Sequence, residues 1–288
     1  MLQFVLQCTF NGLVLGLTYV LISSGLSLVL GIARIINFAH GEFYMLGAFS
    51  IYWLCEKLRL NYFLSIPISF LVIGFLGLFI DRYLFRRVRG KFLPSVIVAC
   101  GVAFLIPGLA MISFGERDKY VETIFRGQFS ILGVSIALER VVIILVCLAI
   151  IGILAYFVKY CKTGKAMRAV AQDMEAAALQ GINADRICAL SMFIGCGFAA
   201  VAGALMGPIF FVSPFMGSEA LIKGFIVILL GGVGTIIGSL IGGLFLGFVE
   251  AFGYSFIGTG TDIIVFVVVI IVLLVRPGGL LGREWVLE

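Results

Sequence analysis

KAMRAVAQDMEAAALQ, residues 165–180, is the stretch on which the reading of this chain turns. It lies within Lys159–Arg186, the longest polar interruption in the second half of the sequence, with strongly apolar segments on either side. It holds no proline or glycine, carries six alanines and is followed by Gly181, the residue type best suited to end a helix. The pattern predicts a single short helix standing alone between two membrane spans. Arg168, Gln172 and Glu175 fall at helical spacing on one side, and Met167, Val170, Met174 and Ala178 on another. Such a helix can lie along the membrane with one face on the protein, and a surface so small in side chain suits docking into a cleft. An ordinary amphipathic interfacial helix would show the same periodicity, so the surrounding chain has to separate the two readings.

The surroundings are those of an integral membrane protein. The 288 residues are 62% hydrophobic and 12% charged, against roughly 25% charged in a globular domain. The 36 glycines are spread through apolar stretches, as expected where helices pack backbone to backbone in lipid. The net charge of +5 gathers in a few short loops, which makes it topology information and not a nucleic-acid surface. The first 33 residues are uncharged and lack the basic start and cleavage site of a signal peptide, so Met1 onward is expected to be the first span. Seven cysteines are scattered without CxxC spacing, and neither a disulfide nor a metal site is expected.

Apolar segments of about 20 residues fall near 4–30, 60–80, 92–113, 141–158 and 187–210, with shorter or glycine-broken ones near 38–55, 219–237, 239–257 and 260–275. The expected fold is an all-α, polytopic membrane bundle of eight or nine spans, forming one domain over residues 1–288. Two dense basic clusters, Arg82 to Lys91 and Lys159 to Arg168, belong in the cytoplasm by the positive-inside rule, as do Arg276 and Arg283. Counting spans from them places the N-terminus outside and the C-terminus inside. Glu116–Arg140 then becomes the largest external loop, with alternation that allows a small hairpin.

Two segments resist a plain helical reading. Arg34 to Glu42 places polar side chains between apolar stretches, and Gly231-Gly232-Val233-Gly234 is too rich in glycine for a continuous helix. Both read as broken or re-entrant elements. They share a rhythm at an offset of 191 residues, Gly41 with Gly47 and Gly232 with Gly238. An internal duplication, with the transport route at corresponding broken segments, would explain it; so would coincidence between glycine-rich segments. His40, the only histidine, stands beside Glu42 with no further ligand at metal spacing. The plainer account has Asn37 capping a helix and Glu42 in its first turn. Glu250 follows 26 uncharged residues, and an ionisable group so deep calls for a functional hypothesis or a basic partner. Glu219 and Lys223, four apart, are expected to pair with each other, and Asp262 to cap the last span. No phosphate-binding loop, GxGxxG fingerprint or catalytic triad is present, so the chain is read as a non-enzyme that binds neither ATP nor another cofactor.

Taken together, Gly25-Leu26-Ser27-Leu28, Gly31-Ile32, Ile36 to Glu42 with Met45-Leu46-Gly47-Ala48, Gly164 to Asp173, Gly181-Ile182-Asn183, Gly231 to Gly238 and Arg276 to Arg283 resemble the permease subunits of branched-chain amino acid ABC transporters. Within them Glu175-Ala176-Ala177, three residues, then Gly181 spells the EAA-x3-G signature of the importer loop that presses on the ATPase. The resemblance implies a bacterial inner-membrane pore subunit, set in lipid. Its implied partners are a homologous second permease, two cytoplasmic ATP-binding subunits and a periplasmic substrate-binding protein. It makes 159–186 the coupling loop, with Arg168, Gln172, Asp173, Glu175, Ala176, Ala177 and Gly181 as coupling residues. Asn37, His40, Glu42, Gly231, Gly232, Gly234 and Glu250 are candidates for the translocation route. The family also serves urea and short amides. An ion-coupled secondary transporter would account for broken helices and Glu250 without an ATPase, and an intramembrane enzyme using His40 and Glu42 would lack a nucleophile.

Overall fold

The computed structural model describes residues 1–122, 127–131, 134–232, 234–276 and 278–279. Lipid offers backbone groups no hydrogen bonds, so apolar stretches must satisfy them internally, and they do so as helices. In chain order these are α1 Leu2–Leu28, α2 His40–Ile51, α3 Tyr62–Ile80, α4 Arg86–Val88, α5 Phe92–Phe114, α6 Leu138–Tyr160, α7 Lys162–Gln172, α8 Met174–Leu179, α9 Ala184–Met206, α10 Met216–Gly231, α11 Ile236–Ile257 and α12 Thr261–Val275. The hairpin expected in the long loop is present as β1 Gln128–Ile131 paired antiparallel with β2 Val134–Ala137; positions 132 and 133 lie outside the described residues. Among the described residues, six helices are long and apolar enough to cross a membrane. The rest of the expected eight or nine crossings fall on α2, α10 and α12, of 12, 16 and 15 residues, each shorter than a full span.

The bundle is built around α1 and α9, whose most apolar windows are 83% and 78% buried, against 28% and 22% for α5 and α6 at the periphery. Glycine makes the central crossings possible. Gly12 and Gly16 of α1 lie against the backbone of Gly243, Leu244 and Gly247 of α11. Gly25 meets Gly195 where α1 crosses α9, and Gly47 of α2 and Gly203 of α9 rest on the backbones of Ala200 and Tyr44. Between helices in lipid, close approach of this kind replaces the hydrophobic drive that water would supply.

The two broken segments are where the sequence places them. The end of α1 continues into a π-helical turn, Val29–Ala33, and stops at Arg34, whose φ of 54° is left-handed. The chain runs non-helically to Ala39 and restarts as α2 at the level of Ile22, whose carbonyl bonds His40 Nε2 at 3.2 Å. At the second break α10 ends at Gly231, Gly232 takes φ 99°, and Thr235 Oγ1 accepts from Gly238 N at 3.1 Å to start α11. Gly31 packs beside Gly234, so the two breaks meet at one end of the bundle. At the same end Arg89, with Asp81 at 2.7 Å and Asp185 at 2.8 Å, clips α3 to the start of α9. At the opposite end, Lys119 and Val212 exchange backbone hydrogen bonds of 2.9 and 3.0 Å, tying the long loop to the α9–α10 connection.

Candidate functional site

The stretch 165–180 folds as two helices, not the single one its periodicity predicts. α7 begins after Cys161 in extended backbone and carries Gly164 close to the backbone of Phe157 and Val158, which folds it back onto α6. Met167 and Val170 are buried, while Arg168 and Gln172 are exposed. At Asp173 the backbone leaves the helix (φ −150°, ψ 114°), and its carboxylate accepts from Glu175 N at 2.9 Å and Ala176 N at 3.0 Å. An aspartate satisfying two orphan N–H groups is a strong helix start, so the chain gains more by beginning α8 there than by continuing α7. The end of α8 is as expected. Gly181 takes φ 80°, its N–H bonds Ala178 O, and Ile182 N–H bonds Ala177 O, which is the paired closure of a Schellman motif. Ala177 is buried; Glu175, Ala176 and Gly181 are exposed.

The bend divides the coupling candidates. Gln172, Asp173 and Glu175 line a polar cleft of about 620 Å³ with Arg34, Arg86 and Arg89. Arg168 lies on the other side, at an apolar cavity of about 320 Å³ shared with Gly31, Gly234 and Thr235. The bent element therefore borders both helix breaks across open space, Arg34 at the polar cleft and Gly31 with Gly234 at the apolar cavity. Asp173→Ala removes the cap of α8 at an expected cost of about 1 kcal/mol. Amide exchange over Met174–Leu179 should then quicken about fivefold relative to α7, and an unchanged rate would show that the cap does not hold the bend.

The route candidates separate as well. Asn37, His40 and Glu42 are buried. Asn37 Oδ1 accepts from Ala39 N at 3.1 Å, so it shapes the turn before α2, whose N-cap is Ala39 with no side-chain cap; the expected Asn37 cap is not formed. Glu42 stands in the first turn of α2 as expected, its carboxyl against Gly217 at the start of α10. His40 Nδ1 and Glu42 Oε2 have no hydrogen-bond partner among the described residues.

Glu250 belongs to a different cluster, at the end of the bundle opposite α7 and α8. It accepts from Tyr19 Oη at 2.7 Å and from Lys223 Nζ at 2.9 Å, and Lys223 also bonds Asp262 at 2.8 Å. Lys223 thus pairs across three helices and not with Glu219, and Asp262 serves as its partner instead of capping α12, whose N-cap is Gly260. The signal for this cluster was three isolated charges on successive apolar helices, since charges in lipid are held in pairs. It borders a cavity of about 660 Å³ between α1, α10 and α11, walled by Leu15, Ile22, Met206, Phe210, Phe211 and Met216. Asn37, His40, Glu42 and the glycines of the second break do not line it.

Comparison with known proteins agrees with this architecture. The family model described as "Branched-chain amino acid transport system / permease component" matches residues 8–275. The chain is 38% identical over 297 aligned positions to the high-affinity branched-chain amino acid transport system permease protein LivH of Salmonella typhimurium, covering 96% of each chain. It is 37% identical to LivH of Escherichia coli and to the corresponding permease BraD of Pseudomonas aeruginosa, again over 96% of each chain. No solved structure matches it.

Proposed function

Because this chain belongs to the family of permease components of branched-chain amino acid transport systems, we propose that it forms the pore of an ATP-driven importer for leucine, isoleucine, valine or similar apolar amino acids. It does so beside a homologous second permease in a bacterial inner membrane, powered by two cytoplasmic ATP-binding subunits and supplied by an external binding protein. The observation that carries this reading is the bent α7–α8 element. It presents Glu175, Ala176 and Gly181 to solvent at the basic end of the bundle while Met167 and Arg168 of α7 line a cavity shared with Gly31 and Gly234 of the two helix breaks. A push on α8 would pass through the Asp173 bend to α7, whose Met167 and Arg168 face Gly31 and Gly234 across the apolar cavity. Arg168, Gln172, Asp173, Glu175, Ala176, Ala177 and Gly181 are assigned to this contact. Orientation follows the basic residues: the Arg82–Lys91 and Lys159–Arg168 ends are cytoplasmic, and the N-terminus is outside.

Gly181→Val tests the coupling role. Valine at φ 80° is strained by about 1–3 kcal/mol, although no atom lies within 4 Å to clash with it. The strain falls on the α8 exit and leaves the spans untouched. In the reconstituted complex, leucine uptake and the ATPase stimulation by loaded binding protein should fall together, about tenfold, at an unchanged level of permease in the membrane. Normal coupling in this variant would contradict the assignment. Uptake of urea but not of leucine, isoleucine or valine would move the chain to the amide branch, and uptake that survives without the ATPase but collapses with an uncoupler would make it a secondary transporter.

A further inference from the structure

Glu219 and Lys223 both line the 660 Å³ cavity, one turn apart on α10, where side chains four apart have Cβ atoms about 5–6 Å from each other. Glu219 is exposed and engaged by no hydrogen bond or ion pair among the described residues. Lys223 gives one proton to Glu250 and one to Asp262, and an ammonium has a third. The cavity therefore offers an open carboxylate and a spare ammonium proton side by side. Around them the wall is apolar and aromatic, with Phe210, Phe211 and Phe215 exposed at the rim and Leu15, Ile22 and Met216 beside them. Its volume lies within the roughly 300–1,000 Å³ of small-molecule sites, and so does its makeup of apolar walls with a few convergent polar groups.

We propose that this cavity is a resting station for the transported amino acid, with the ammonium on Glu219, the carboxylate on the third proton of Lys223, and the side chain against Phe210, Phe215 and Met216. Glu250 and Tyr19 are not ligands here. They line the cavity too, but are already engaged with each other and with Lys223, which fixes the Lys223 head. The chemistry selects a free α-amino acid with an apolar side chain. Urea and short amides carry neither charge, and a sugar would leave Glu219 and Lys223 with no ionic partner. The proposal rests on the importer reading and adds to it the place in the permease and the two residues that hold such a substrate.

The test uses the complete transporter in liposomes, with L-leucine as probe and binding protein at saturation, so that the binding protein's own affinity does not limit the rate. Glu219→Gln keeps size and removes the charge; uptake should fall about tenfold or more, and the ATP hydrolysed per leucine should rise. Ala220→Phe, which fills the cavity from the same helix, should act in the same direction, while Glu219→Asp should keep most of the uptake. Retained binding of the ATP-binding subunits monitors assembly. Wild-type uptake in Glu219→Gln and Ala220→Phe would overturn the station and leave the permease reading intact, as would equal losses in Glu219→Gln and Glu219→Asp. Absence of leucine, isoleucine and valine uptake in the unmutated complex would instead overturn the permease reading itself.

Discussion

Gly47→Leu is expected to leave no folded permease. The Gly47 α-carbon rests on the backbone of Ala200, and a Cβ would overlap the Ala200 carbonyl oxygen. The obstacle is backbone on both sides, so no rotamer change relieves it. On the α9 side the same crossing is closed by Gly203 on the carbonyl of Tyr44, which leaves α2 no register in which to slide. Overpacking a core costs about 1–3 kcal/mol where side chains can give; here helices must separate, and the expected loss exceeds that. Detergent-extracted Gly47→Leu protein should elute as aggregate, whereas Gly101→Ala on α5, where nothing stands within 4 Å, should elute and melt as the parent does. A well-folded Gly47→Leu variant would mean that α2 does not cross α9 at this point.

How much of this was legible in the sequence depended on the range of the interaction. The Gly181 exit from α8 was readable because a glycine after an alanine-rich run has one main use, the left-handed turn that it takes. The breaks near Asn37 and Gly232 were readable because a polar cluster between apolar stretches, or three glycines in four residues, weakens a continuous helix. The bend at Asp173 was readable in principle, since aspartate followed by Met174-Glu175 is a helix-start pattern, but the uninterrupted 3.6 periodicity across it suggested one helix. Periodicity survives a bend that caps itself. The Lys223–Glu250–Asp262 cluster was readable only in part: a lone Glu250 in an apolar helix asks for a basic partner, but its identity was not legible. Glu219 offered Lys223 a sufficient local partner, and nothing in a one-dimensional pattern says that α1, α10, α11 and α12 converge. Glycine positions carried that information only in hindsight, through Gly243 and Gly247 against α1 and Gly253 against Thr261.

The structure also separates two kinds of polar group inside the bundle. Asn37 and His40 organise a chain restart, each bonded to backbone, while Glu42 stands against the start of α10. Lys223, Glu250 and Tyr19 are joined by side chains alone, and they border open space. A group that satisfies backbone is needed for the fold whatever passes through the pore. A side-chain cluster beside a cavity costs stability unless it is fully paired, which is why it is the better place to look for function.

That cost sets the second large effect. Lys223→Met leaves the Glu250 carboxylate, 6% exposed, with only the Tyr19 hydroxyl, while Asp262, 45% exposed, can turn to water. Removing one partner of a buried ion pair costs about 3–5 kcal/mol, mostly for the charge left behind. The loss should therefore be recovered by removing that charge. Lys223→Met/Glu250→Gln keeps an acceptor for Tyr19 and buries no net charge, and its melting midpoint in detergent should return most of the way to the parent value. Glu250→Gln alone should cost less than Lys223→Met alone, because Lys223 retains Asp262. Strict additivity of the two single changes would mean that Lys223 and Glu250 do not interact in the folded protein. Transport should not return with stability: without the Lys223 ammonium the cavity keeps the Glu219 carboxylate and loses its cation, so a stable but inactive double variant is the expected outcome.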